Sequence, residues 1–178
     1  MLGKTNVVSF VLISLSLLSC KREKAKIITS SDIFSSYSIS HKASIFNVPP
    51  GMVSLFLDES KKGNKELKDL LSDVTELSFL IINKNVEDKK ETVSYNEINK
   101  RLDSIKFFDV AQIYTGKEII RVKVDKERRY LNELVVIVSN RDALYCISFK
   151  GKIPSKKVIN LVKPENVGAV TNLDRFKQ

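Results

Sequence analysis

The clearest pattern in the chain is an alternation of apolar and polar positions in its second half. Between residues 119 and 125, apolar side chains alternate with charged ones: Ile120, Val122 and Val124 with Arg121, Lys123 and Asp125. A period of two predicts a strand with one buried and one solvated face. Residues 131–139 are nearly all apolar, which indicates a central strand. With the alternating runs 108–114 and 143–150 and the short turns between them, the pattern predicts a four-stranded antiparallel meander.

The first half of the domain combines helical periodicity with one more buried strand. Apolar residues at i, i+3, i+4 and i+7 predict a helix with the stripe Leu67, Leu70, Leu71 and Val74. The run 77–82 has no polar face and indicates a central strand. A capping box, Ser94 to Glu97, predicts the start of the next helix. Its expected buried stripe is Tyr95, Ile98, Leu102 and Ile105, and its expected solvated face is Asn99, Lys100 and Asp103.

Shorter elements complete the prediction. Residues 44–48 form a strand candidate that Pro49-Pro50 stops, and residues 51–57 are best interpreted as a buried helix that starts at these prolines. A last amphipathic helix carries Val158, Ile159, Leu161 and Val162. The fold class is therefore α+β. It consists of an antiparallel sheet, made of the C-terminal meander plus N-terminal strands, with helices packed mainly on one face.

The N-terminus has the pattern of a bacterial lipoprotein signal. Lys4 precedes an apolar run from Val7 to Leu18, and Leu17-Leu18-Ser19-Cys20 follows as a lipobox. The run is shorter than the ~20 residues that span a bilayer as a helix, so residues 1–19 are interpreted as a cleaved signal peptide. Cys20 is the predicted lipidation site and membrane anchor. Lys21 is not the aspartate that retains lipoproteins at the inner membrane of enteric bacteria, so outer-membrane attachment facing the periplasm is expected.

The remaining chain divides into three predicted segments. Residues 20–44, which are basic at first and then serine-rich, are predicted to be a flexible tether, although Ile27-Ile28 and Ile33-Phe34 leave open that part of it is helical or docks on the domain. Residues 45–163 form the single α+β domain, and residues 164–178 are predicted to be a frayed tail.

The charge of the chain raises the question of an acidic partner. The formal net charge is +9, which in a soluble protein would suggest nucleic acid. A lipid anchor argues against a nucleic-acid partner and favours anionic head groups or an acidic envelope glycan. A solvated surface that is simply lysine-rich is the plainer alternative.

Catalytic and metal-binding motifs are not evident. The chain has one histidine, His41, and two cysteines. Cys146 lies in a strand-like run and is predicted to be a small buried hydrophobe. No glycine-rich phosphate loop, G-x-S-x-G elbow or calcium loop stands out. We therefore expect no cofactor, no metal and no catalytic residue, with an uncharacterised hydrolase as the remaining enzymatic alternative.

Two binding hypotheses share one candidate surface. Arginine and tyrosine anchor many protein interfaces. The candidate surface on the meander has five such side chains and one lysine: Tyr114, Arg121, Lys123, Arg128, Arg129 and Tyr130. The first hypothesis is a non-catalytic interaction module for an envelope protein. The second is an electrostatic binder of acidic glycan or lipid. The alternative to both is that Arg121 and Lys123 are the ordinary wet face of an amphipathic strand.

The order of elements resembles the DUF4252 family, lipoproteins known mainly from the Bacteroidetes whose function is undefined. The resemblance covers roughly residues 45–162 together with the lipobox. It is carried by Leu131-Asn132-Glu133-Leu134 and the apolar run after it, by Ile147-Ser148-Phe149-Lys150-Gly151-Lys152-Ile153, and by Val158-Ile159-Asn160-Leu161. It departs from the family in the charged turn 125–129. The resemblance implies an α+β fold and no particular chemistry.

Overall fold

The computed structural model describes residues 28–40, 43–84, 91–127 and 129–173. Within these ranges the helices are α1 Ser30–Ser40, α2 Pro50–Leu55, α3 Asn64–Leu71, α4 Glu91–Ser104, α5 Ser155–Leu161 and α6 Gly168–Thr171. The strands are β1 Ser44–Val48, β2 Val74–Asn83, β3 Phe108–Tyr114, β4 Ile119–Glu127, β5 Tyr130–Ser139 and β6 Ala143–Pro154.

All six strands form one sheet in the order β1-β2-β6-β5-β4-β3, and every neighbouring pair is antiparallel. Strands β3 to β6 follow one another as the predicted meander, which is confirmed. The N-terminal strands extend the sheet beyond β6, because β2 pairs with β6 and β1 pairs with β2. The α+β class is therefore confirmed, with β1 and β3 at the two edges.

One face of the sheet, which we call the apolar face, carries Leu77, Phe79, Leu134, Val136 and Phe149. Helices α2, α3, α5 and α6 cover it with side chains from their inner sides, including Val53, Leu67, Leu70, Val158, Leu161 and Val170. The stripe predicted for the helix at 64–71 packs here, although the helix ends before Val74, which begins β2. Most helices therefore lie on this face, as the sequence predicts.

The opposite face, which we call the mixed face, carries Leu80, Val135, Ile137 and Cys146 together with buried polar side chains. Helices α1 and α4 cover it, contributing Ile33, Phe34, Tyr37, Ile98 and Leu102. The two helices also contact each other, since the guanidinium of Arg101 lies 5.4 Å from the centre of the Tyr37 ring. Burial, aided by the charge of Glu97, raises the pKa of Tyr37 to about 12.

Two segments predicted to be flexible are packed instead. Ser30–Ser40, within the predicted tether, is helix α1, and its docking follows from Ile33, Phe34 and Tyr37, which are at most 2% exposed. The docked alternative is therefore the one observed for this stretch. Residues 164–173, within the predicted tail, contain α6, with Val167, Ala169, Val170 and Leu173 buried against the apolar face.

Three smaller predictions are corrected. The helix at 50–55 buries only Val53, whereas Met52 and Leu55 are exposed. Helix α4 begins at Glu91, three residues before the predicted cap at Ser94, whose side chain lies outside the described residues. Asn99, predicted to face water, is 4% exposed, and its Nδ2 donates to the backbone carbonyl of Tyr95.

Two glycines allow close backbone approach. Gly63 adopts a φ of +80°, and a side chain there would collide with the backbone of Asn166. A Cβ on Gly151 would collide with the carbonyl oxygen of Asp73, where β6 passes the irregular start of β2. This contact gives a physical reason for the glycine in the motif 147–153.

Candidate interaction surfaces

Arg121, one of the six candidate residues, forms an ion pair within the fold. Its Nε lies 2.8 Å from Asp109 Oδ1, and its Nη2 lies 2.9 Å from Asp109 Oδ2. The two residues therefore form a bidentate ion pair between β4 and β3. This bond to Asp109 raises the pKa of the Arg121 guanidinium further above its usual range. Partial burial alone would raise the pKa of Asp109, but hydrogen bonds from Arg121 and Lys123 hold it below its usual value.

Lys123 is the largest departure from the sequence prediction. It was expected on a wet strand face, yet its side chain is fully buried. Its Nζ lies 2.6 Å from Asp103 on α4 and 3.0 Å from Asp109 on β3. As predicted, the alternation places Lys123 on the other face of the sheet from Val122 and Val124. That face, the mixed face, is however covered by α4 and Phe107. Lys123 is therefore a structural cation and not part of an accessible surface.

The other candidate residues lie at opposite ends of the sheet. Tyr114 ends the edge strand β3, is 68% exposed and accepts a hydrogen bond from Gln112. Arg129 is exposed in the turn before β5, Tyr130 is exposed as the first residue of β5, and Lys152 Nζ lies 4.7 Å from the centre of the Tyr130 ring. Arg128 lies outside the described residues. The five described candidates do not form one surface, because β3 ends where β5 also ends, away from the Arg129 turn.

A buried polar network on the mixed face was not predicted. Glu133, 8% exposed, accepts hydrogen bonds from the hydroxyls of Ser148 on β6 and Ser30 on α1. Burial raises the pKa of Glu133, although the two serines partly offset this effect. Lys150 beside it donates to Ser31 and lies 3.4 Å from Glu76. The signal in the sequence was a lone acid in an apolar strand, with Ser148 and Lys150 at matching positions of the next strand.

The two most exposed large apolar side chains described, Leu55 and Phe56, lie at the end of α2 and just after it, and Met52 of the same helix is also exposed. Leu55 is 85% exposed, Phe56 72% and Met52 49%. Phe56 also lines a groove of about 290 Å³, whose remaining walls are Leu57, Asp58, Lys61, Asn64, Ala169, Asn172 and Leu173. Large apolar side chains grouped on a surface are typical of contact sites. This group, defined by Met52, Leu55, Phe56 and the groove, is called the α2 surface.

Of the remaining residues singled out in the sequence, only Cys146 lies within the described ranges. Cys146 is fully buried and burial raises the pKa of its thiol, so the predicted small hydrophobe is confirmed. Cys20 and His41 lie outside the described residues. Within the described ranges, no group of three or more His, Cys, Asp or Glu side chains could hold a metal ion. Among the same residues, no helix has the length and apolar character needed to cross a membrane.

Comparison with known proteins gives one result. No curated protein and no solved structure matches the chain significantly. A family model, described as a domain of unknown function, matches residues 37–161, from the middle of α1 to the end of α5. The match covers more than two thirds of the chain and includes all six strands. The chain therefore belongs to the DUF4252 family.

Proposed function

We propose that this protein is a lipid-anchored module of the cell envelope that binds another envelope protein through its α2 surface, without catalysing a reaction. The observation that carries the proposal is the exposure of Met52, Leu55 and Phe56 beside the groove. Exposed apolar groups of this kind lose unfavourable contact with water when a partner covers them. Aromatic and methionine side chains are also enriched in protein interfaces.

The partner that fits this surface is a protein segment with an apolar side chain for the groove and acidic neighbours. Lys61 lines the groove, and Lys62 and Lys65 are exposed next to it. These lysines have no ion pair among the described side chains, whereas Lys68 pairs with Glu59. An apolar centre surrounded by charges is the usual arrangement of a specific protein interface.

The polyanion hypothesis loses two of its residues. Arg121 and Lys123 already pair with Asp109 and Asp103, so their charges are largely compensated within the fold. The proposed interaction with a protein therefore rests on the α2 surface and does not require them.

Anchoring through Cys20 has a direct test. The cysteine carries the acyl chains in this proposal, and each buried methylene contributes about 0.8 kcal/mol to membrane binding. We expect Cys20→Ala to leave the membrane fraction, as soluble protein or as unprocessed precursor. Membrane fractionation with mass spectrometry of the N-terminal peptide measures this, and an acylated, anchored Cys20→Ala protein would contradict the proposal.

Partner binding is tested by site-specific photo-crosslinking in the natively acylated protein. A crosslinker at position 55 is expected to capture a defined envelope protein, and the complex to resist about 0.5 M salt because screening at that strength removes most surface electrostatics. Met52→Asp should abolish capture. Ile159→Asp is the matched control, since Ile159 is 58% exposed on α5 and does not line the groove. Capture that Met52→Asp leaves unchanged would exclude the α2 surface.

A further inference from the structure

The end of the sheet at which β5 begins is the end where the N-terminal segment joins the fold. Ser30 donates to Glu133, and Ser31 accepts a hydrogen bond from Lys150, both near that end of β5 and β6. Helix α1 then runs along the mixed face toward β1, whose first residues pair with the other end of β2. We call the end near Ser30 the tether end.

The tether end is positively charged, and aromatic side chains accompany the charges. Arg129 and Lys152 are exposed there, and Tyr130, 40% exposed, lies beneath the Lys152 ammonium. The edge strand β3, which β4 separates from β5, starts at the same end with Phe108, which is 60% exposed, and the exposed Lys106 lies two residues before it. We call these five residues the cationic strip.

Among the described side chains, the carboxylates near the strip have other partners, and Asp125 accepts a hydrogen bond from Asn132. Three of those described on this part of the sheet are already paired with other cations: Glu76 with Lys150, Asp103 with Lys123, and Asp109 with Arg121 and Lys123. At the opposite end of the sheet, the two turns of the meander contain one acid for each base, Lys117 with Glu118 and Arg141 with Asp142, and Lys84 donates to Ser139 and Asn140. The exposed bases of the strip, Lys106, Arg129 and Lys152, therefore form no ion pair with a described carboxylate.

We propose that the cationic strip contacts the anionic head groups of the membrane to which the chain is anchored, and so holds the domain with its tether end toward the bilayer. This inference rests on the proposed anchoring through Cys20. Cys20 and Thr29 are nine residues apart, which limits the distance between them to about 30 Å. Four basic residues, Lys21, Arg22, Lys24 and Lys26, lie between them.

The chemistry of the strip suits a lipid surface. Lysine and arginine next to an anionic leaflet are attracted to it over about one Debye length. Tyrosine is enriched at the membrane–water interface, where its ring is in the apolar layer and its hydroxyl in water. In this orientation the end of the sheet with the turns Lys117-Glu118 and Arg141-Asp142 points away from the bilayer.

The test measures which end of the sheet lies near lipid. Natively acylated protein carries one fluorophore, on Asn132→Cys at the tether end or on Asp142→Cys at the opposite end, while buried Cys146 remains unlabelled. Each is reconstituted into phosphatidylcholine vesicles with a lipid-borne quencher, with or without phosphatidylglycerol. We expect quenching at 132 to exceed that at 142 at least about twofold in anionic vesicles, and to fall with salt or in the double variant Arg129→Glu, Lys152→Glu.

Two outcomes overturn the inference in distinguishable ways. Equal quenching at 132 and 142, or quenching at 132 that does not depend on phosphatidylglycerol, overturns the cationic strip while anchoring stands. Protein that fails to float with the vesicles overturns the anchoring and this inference with it. The double variant Lys61→Glu, Lys65→Glu is the matched control, because it removes the same charge from the α2 side and should leave the quenching unchanged.

Discussion

The two faces of the sheet are buried by different means. On the apolar face, helices α2, α3, α5 and α6 cover strand side chains that are all apolar. On the mixed face, α1 and α4 cover apolar side chains together with the buried polar residues described on the strands, namely Ser78, Lys123, Glu133 and Ser148. Burial of apolar area needs no specific partner, whereas a buried polar group must be paired or it costs free energy. The mixed face therefore depends on a few specific contacts.

Those contacts divide the mixed face into two parts. Under α4, Lys123 is balanced by Asp103 and Asp109, whose side chains are 55% and 44% exposed. Under α1, Glu133 is balanced by hydroxyls from Ser30 and Ser148. Helix α1 is thus held by apolar packing and by one titratable network, close to the point where the N-terminal segment joins the domain.

The largest expected loss of unfolding free energy comes from truncating a large side chain on the apolar face, compared with a small one on the mixed face of the same strand. Phe149 and Cys146 of β6 are both fully buried, on the apolar and the mixed face respectively. Phe149→Ala should lower the free energy of unfolding by about 3–5 kcal/mol, because it leaves a large cavity. Cys146→Ala removes one sulfur and should cost about 1 kcal/mol. Urea titration of both variants measures the difference, and equal losses would contradict it.

The next effect concerns the counter-charges of Lys123. Changing both Asp103→Asn and Asp109→Asn leaves a buried ammonium without a partner and should cost about 3 kcal/mol. Lys123→Met should change the stability by less than about 1 kcal/mol, since the two carboxylates remain partly solvated. Chemical denaturation at pH 7 compares them. A larger loss for Lys123→Met than for the double variant would contradict this account.

A third effect is the pH dependence that Glu133 adds. Its pKa is raised in the folded protein, so the folded state binds the proton more tightly than the unfolded state. Stability from this group is complete below the unfolded pKa of about 4.3 and is lost as pH rises through the folded pKa. Glu133→Gln should remove that decline. The difference between wild-type and variant unfolding free energies, followed from pH 4 upward, tests it, and parallel curves would contradict it.

The smallest effect should occur outside both faces. Leu55 is 85% exposed, so Leu55→Asp should change the free energy of unfolding by less than about 0.5 kcal/mol. The substitution introduces a charge into the proposed protein contact without disturbing the core. A calorimetric melt of wild type and variant measures this, and a loss of more than about 1 kcal/mol would show that the α2 surface packs within the fold.

The candidate surface shows where prediction from sequence ended. Three of its side chains, which are two to eight residues apart in the chain, lie in three different environments. Lys123 is buried under α4, Arg121 is paired with Asp109, and Arg129 is exposed at the tether end. The α2 surface was missed for the opposite reason. An apolar run at 51–57 predicts burial, and nothing local indicates that Met52 and Leu55 project away from the sheet.

The sequence by itself determined the strands, their antiparallel order in the meander and which side chains share a face, because these follow from a local period of two along a continuous chain. It also determined that residues 64–71 form a helix with one apolar side. Only the tertiary structure decided which faces are covered. Lys123 and Glu133 are buried, and Ser30–Ser40 is docked, because α1 and α4 return to the sheet from distant positions in the chain. Coverage depends on these long-range contacts, and no window of neighbouring residues contains them.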